Sequence, residues 1–235
     1  MTERSEQSEP GGSTVNGVDR AAVVDLLGAL AYGELTAFIR LAEDAELAPT
    51  LPETSALARL AVKEFNHYEL LNQRLVEMDA HPEDAMQPFV AAVDAFHERT
   101  APSDWLEGLV KAYVGDGIAT DFYREIAAYV DSSTRALVNQ VADASGHTEF
   151  VVPVIRNAIE QDPRIAGRLA LWGRRLVGEA LSQAQRVAAD RDALTMLLVG
   201  GGSGRAGGDL AEIGRMFTRL TEAHTERMGR LGLTA

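Results

Sequence analysis

Apolar residues recur every three or four positions through nearly the whole stretch from Val18 to Val199, and no segment alternates polar with apolar long enough to make a convincing strand. That period predicts an all-α protein. Proline and good N-cap residues interrupt it at Ala48–Glu53, Ala80–Ala85, Arg99–Trp105, Asp131–Thr134 and Asp162–Pro163. The breaks leave helices near 19–47, 53–79, 103–129, 132–161 and 164–198, a shorter one near 86–99 and a last one near 209–230. Most of these far exceed the globular mean of about 11–12 residues. Joined by short connections, they imply a helical bundle.

The apolar stripes contain polar residues that do not belong there. Leu57, Leu60, Leu71 and Leu75 mark the buried side of the second helix, and Glu64 and His67 sit among them. Glu34 lies between Leu27, Leu30, Ala31, Phe38 and Leu41; Asp116 shares a face with Leu106, Leu109, Tyr113, Thr120 and Tyr123; His147 shares one with Leu137, Val141, Val151 and Ile155. A carboxylate loses several kcal/mol of hydration on burial, so it is almost never fully buried without a partner. Any one of these residues alone reads as hydrogen-bonded core. Five of them on four helices read as a metal site at the bundle axis, with a relic site filled by hydrogen bonds and water as the alternative.

Their order repeats. Glu34 is followed 30 positions later by Glu64, with His67 three beyond; Asp116 is followed 28 positions later by Ala144, with His147 three beyond. Residues i and i+3 share a helical face, so Glu-x-x-His can grip a metal pair whose other carboxylates come from two neighbouring helices. Carboxylates with one imidazole per metal suit two ions of iron or manganese. Ala144 stands where the second motif needs glutamate, which leaves the set incomplete or the metal absent. Asp143, at i−4 from His147, is the candidate substitute. Three carboxylates leave two ferrous ions with a net charge of +1; recruiting Asp143 neutralises the site.

Composition narrows the partners. The 235 residues suit one large domain; a net charge of −13 and a pI near 4.8 argue against a broadly basic nucleic-acid surface. There is no cysteine, so thiol chemistry and thiolate metal sites are excluded. The N-terminus is polar and lacks the apolar segment of a signal peptide, and the apolar runs fall short of the roughly 18 residues of a membrane span. A soluble, cytoplasmic protein is expected. Its organisation is a disordered tail at 1–17, a bundle at 18–199, a Gly-rich linker at 200–208 and a C-terminal helix at 209–235 packed on the bundle. Gly202–Gly207 matches G-x-G-x-x-G, but only 28 residues follow, too few for the βαβ units of a dinucleotide fold.

The pattern Glu34, Glu64-x-x-His67, Asp116 and His147 resembles the ferritin-like superfamily. The surrounding sequence, including Gly167–Gln185, looks like its MiaE-like branch, named after a tRNA hydroxylase, over roughly residues 18 to 230. The resemblance implies a ferritin-like four-helix bundle with additional C-terminal helices and an oxygen-dependent non-haem di-iron hydroxylase or oxidase. It implies Glu34 and Asp116 as terminal or bridging carboxylates, Glu64 as a bridging carboxylate, and His67 and His147 as one imidazole for each metal. A ferritin-like binding module with a degenerate site and an iron-handling ferroxidase are the competing functions. The expected partners are a small-molecule or modified-nucleoside substrate and a second copy of the chain; no membrane is expected, and the charge disfavours nucleic acid.

Other residues carry blander expectations. Tyr32, Tyr68, Tyr113 and Tyr123 read as core near the ligands. His81 belongs to a turn, His97 to a solvated helix end and His224 to the surface of the last helix. Arg164, Arg168, Arg174, Arg175, Arg186 and Arg191 outnumber Glu179 and Asp190 on the fifth helix, and pairing with the protein's own acids is the expectation for them. The role of Glu179 is open.

Overall fold

A computed structural model describes residues 14–15, 18–142, 145–199 and 210–235. Among the described residues, strands β1, Thr14–Val15, and β2, Val18–Asp19, pair antiparallel ahead of ten α-helices. These are α1 Arg20–Asp44, α2 Leu51–Glu77, α3 Pro82–Met86, α4 Val90–Arg99, α5 Trp105–Ala127, α6 Ser132–Val141, α7 Ser145–Gln161, α8 Ile165–Asp190, α9 Asp192–Val199 and α10 Leu210–Arg230. Of the tail expected at 1–17, only Thr14–Val15 are described. The linker at 200–208, with its Gly-rich match, lies outside the described residues, as do Asp143 and Ala144.

Helix starts follow capping chemistry. Thr50 accepts from the Glu53 amide with Pro52 in the first turn of α2, and Asp104 accepts from the Glu107 amide at 2.9 Å while Glu107 accepts from the Ser103 amide at 2.9 Å. Two long helices expected from periodicity are each split. The 132–161 segment is described as α6, which ends at Val141, and α7, which begins at Ser145. The 164–198 segment breaks at Arg191, whose extended backbone lets its guanidinium pair with Asp25 of α1.

The core comes in two halves. One contains Leu27 and Leu30 of α1, Leu71 and Leu75 of α2, Ile126 of α5 and Val138 and Val141 of α6. The other contains Leu41 of α1, Leu57 and Leu60 of α2, Leu109 and Val114 of α5 and Val151 and Ile155 of α7. Helix α1 therefore runs from the first half to the second, α2 and α5 run back, and the chain passes from the first half at α6 to the second at α7. Since α2 ends in one half and α5 begins in the other, the chain must cross the length of the bundle between them, and α3 and α4 make that crossing. Two antiparallel helix pairs with one long crossover is the ferritin-like arrangement. Gly28 admits it locally, because any side chain there would overlap the Ala85 backbone of α3.

Helices α8 and α10 close the second half with Leu169, Trp172, Leu176 and Met228, and α9 adds Leu194 and Leu197 to the first. Contrary to the expectation of short apolar runs, Arg20–Leu47 contains a stretch apolar enough by length and composition to cross a membrane. In the bundle its Val23, Leu26, Leu27 and Leu30 are buried.

Most arginines in and just before α8 are tied to the protein itself. Arg164 pairs with Asp162 at 2.8 Å and Arg168 with Asp104 at 2.7 Å. Arg174 and Arg175 donate to the carbonyls of Thr234 and Arg99.

Candidate metal centre

At the level where the two apolar halves meet, four helices turn polar. Glu34 of α1, Glu64 and His67 of α2, and His147 of α7 are buried; Asp116 of α5 buries one carboxylate oxygen and turns partly towards a cavity. Atoms of Glu34, Glu64 and His67 come together in one group and atoms of Glu64, Asp116 and His147 in a second, each within 4.8 Å. Glu64 belongs to both. Its Oε2 lies 3.6 Å from His67 Nδ1 and its Oε1 lies 3.8 Å from His147 Nε2. Glu34 Oε2 is 3.4 Å from His67 Nδ1, and Asp116 Oδ2 is 3.6 Å from His147 Nδ1.

These approaches do not make hydrogen bonds. Glu34 Oε2, His67 Nδ1, Asp116 Oδ2 and His147 Nδ1 are buried and have no hydrogen-bond partner among the described residues. A buried polar atom left bare costs about 1–3 kcal/mol. Metal ions would supply the missing partner, and three carboxylates with two imidazoles form a donor set suited to iron or manganese. The residues present therefore fit a metal pair: Glu34 and His67 on one side, Asp116 and His147 on the other, Glu64 between.

The electrostatics show how tightly the groups are coupled. Burial raises the Glu34 carboxyl well above its usual range, opposed by His67 and reinforced by the negative charges of Glu64 and Asp116. Burial also opposes ionisation of Glu64, but His67, Glu34 and His147 outweigh it and hold the carboxyl at about 2. The His67 imidazole, although desolvated, is raised to about 9 by Glu34 and Glu64. Asp116 is raised by burial, partly offset by His147 and, further out, by Arg227.

The cavity beside this cluster, of about 300 Å3, lies between α1, α4, α5 and α8. Its walls are mostly small or apolar, including Ala37, Phe96, Ala112, Ile118 and Phe122, and Glu34, Glu64, Asp116 and His147 reach it. Tyr123 also lines it; its hydroxyl faces Gly33, and burial with the charges of Glu34 and Asp116 pushes its pKa up. Tyr32 donates to Asp94 at 2.8 Å. Tyr68 and Tyr113 pack into the two halves of the core.

Three residues differ from expectation or were missed. His97 lines the cavity, with its Nδ1 buried and unpartnered, because α8 packs along α4 and Lys111 of α5 lies over the neighbouring Phe96, covering the end that the sequence leaves looking solvated. His224 is buried as well, with no hydrogen bond to either ring nitrogen among the described residues, because α10 packs along α5. Arg227 of α10 reaches across Gly117, donating to its carbonyl at 3.0 Å and pairing with Asp121. His81 is exposed at the start of α3, and Glu179 forms an ion pair with Arg99 at 3.0 Å, away from the cluster.

A family model described as a ferritin-like domain of actinomycetes matches residues 18–201. Among solved structures the chain is similar to protein 19 with aldehyde deformylating oxidase activity from Synechococcus, with 19% sequence identity, a TM-score of 0.69 and 92% of each chain covered. At that identity the likeness is one of fold. No curated protein matches the sequence at a significant level. With most of its length matched by the family model, including all five clustered residues, the chain belongs to the ferritin-like domain family of actinomycetes.

Proposed function

We propose that the protein is a metal-dependent, oxygen-using oxidase or hydroxylase that acts on a small apolar substrate. The observation that carries this reading is Glu64, with one carboxylate oxygen towards each of two imidazoles and four orphaned buried atoms around it. Two redox-active ions held there would supply the electrons and Lewis acidity that dioxygen activation requires. The chain's own contribution is to place the ligands against a cavity with largely apolar walls that can hold a substrate beside them. Small and apolar walls favour an apolar substrate over the hydrated iron of a ferroxidase.

The second reading, a ferritin-like binding module with a degenerate centre, is favoured by Ala144. Metal analysis of protein purified without chelator separates the two. The oxidase reading expects close to two iron or manganese ions per chain, with Glu64→Ala and His67→Ala each losing most of the metal. Background metal in the wild type, with no uptake of added ferrous iron under anaerobic conditions, would leave the binding module standing.

A further inference from the structure

The cavity is not uniform along its length. At one end lie Arg40 and Asp44 of α1, His97 of α4 and Lys111 of α5; at the other, Ala29, Phe89, Val187 and Leu194. Lys111 is only 7% exposed, yet among the described residues its ammonium makes no hydrogen bond and no ion pair. It lies over the Phe96 ring, 5.7 Å from the centroid, and Asp44 acts on it only through space. The ammonium faces the cavity and carries three donors, for which the protein supplies no acceptor among the described residues. Burial and the nearby Arg40 bring its pKa down to about 8, so it stays largely charged at neutral pH. His97 offers a second unpartnered polar atom, its Nδ1. Burial, Lys111 and Arg40 push that imidazole down to about 3, which keeps it neutral.

The charged groups at this end are Arg40 and Lys111 with Asp44 and Glu43: Arg40 pairs with Glu43 at 2.7 Å, and Asp44, whose ionisation burial opposes, reaches Lys111 only through space. A carboxylate bound in the cavity would accept from the Lys111 donors that Asp44 leaves open. Everything beyond the polar end is suited to hydrocarbon. Five residues of α5 separate Lys111 from Asp116, about 7.5 Å along the axis, and six residues of α1 separate Arg40 from Glu34, about 9 Å. A molecule anchored at Lys111 thus passes the ligand cluster with the interior of its chain, not with its head.

We propose that Lys111, Arg40 and His97 form a head-group site for the carboxylate of an unbranched fatty acid, whose hydrocarbon chain lies along the wall made by Glu34 and Asp116. That this acid is the substrate rests on the oxidase reading above; that it binds does not. The test uses the full chain, with and without bound metal, titrated calorimetrically with decanoate and with decan-1-ol as the uncharged control of equal length. Wild type should bind decanoate about tenfold or more tighter than the alcohol, the scale of a charge-assisted hydrogen bond. Lys111→Met should abolish most of that preference while changing decan-1-ol affinity by less than about twofold, and Lys111→Arg should retain it. Arg40→Met, at a partly exposed side chain, provides a second variant and should weaken decanoate selectively.

Equal affinity of wild type for the two ligands overturns the proposal. So does a decanoate preference that survives both substitutions, or one that disappears with the metal while ignoring Lys111, since the carboxylate would then sit on the ions. Protein that binds decanoate through Lys111 but holds no metal keeps the head-group site and refutes the oxidase; metal-loaded protein without the preference does the reverse.

Discussion

At the scale of single residues, Gly117 is the position where a small change should travel furthest. Any side chain there overlaps the Arg227 guanidinium, which crosses the helix at that point to reach Asp121 and the Gly117 carbonyl. Gly117→Ala should displace Arg227, cost about 1–3 kcal/mol through overpacking, and weaken metal binding because Asp116 is the next residue. Thermal denaturation and a metal titration check both effects; unchanged values in both would mean that Arg227 has room to move. The five clustered ligand candidates were legible in the sequence because each is a polar residue inside an apolar stripe. Arg227 was not, since an arginine on an amphipathic helix looks solvated until the helix it crosses is known. The same holds for His97 and His224: periodicity says which side of a helix is apolar, not whether a neighbour covers its polar side. Lys111 escaped notice for that reason too.

At the scale of elements, α6 illustrates what a cap contributes. Asp131 accepts from the amides of Ser133 and Thr134, both at 3.0 Å, and from both hydroxyls. Burial opposes its charge, but these donors hold the carboxyl at about 2, below its usual 3.8. Asp131→Ala should destabilise the protein by about 0.5–2 kcal/mol. A group with a depressed folded pKa stabilises fully above its unfolded pKa, so the difference from wild type should be constant above about pH 4 and shrink as pH falls towards 2. Denaturant melts across that range test the sign. The Asp131 break was legible because a capping residue opens it, and α1, α2 and α5 fall within a few residues of their expected limits for similar reasons. The end of α6 at Val141 and the break at Arg191 were not, because no proline marks the first and the other depends on the distant partner Asp25.

At the scale of the whole molecule, the bundle consists of two apolar halves with a polar layer between them. Each half is built from buried leucines, valines and isoleucines of several helices, and neither needs the layer for its packing. Protein stripped of metal should therefore keep its helical circular dichroism and a cooperative transition, with a lower melting temperature because the ions bind only the folded state. Loss of helix on chelation would show instead that the layer holds the halves together. The same separation bears on how such a chain changes over time. Residues that keep it folded and the clustered carboxylates and imidazoles occupy different levels of the same helices, so a substitution in the layer, such as Glu34→Ala, need not pass a folding test. The scaffold can outlive its reaction, lose a ligand and acquire another, and the cavity beside it is free to follow a different substrate.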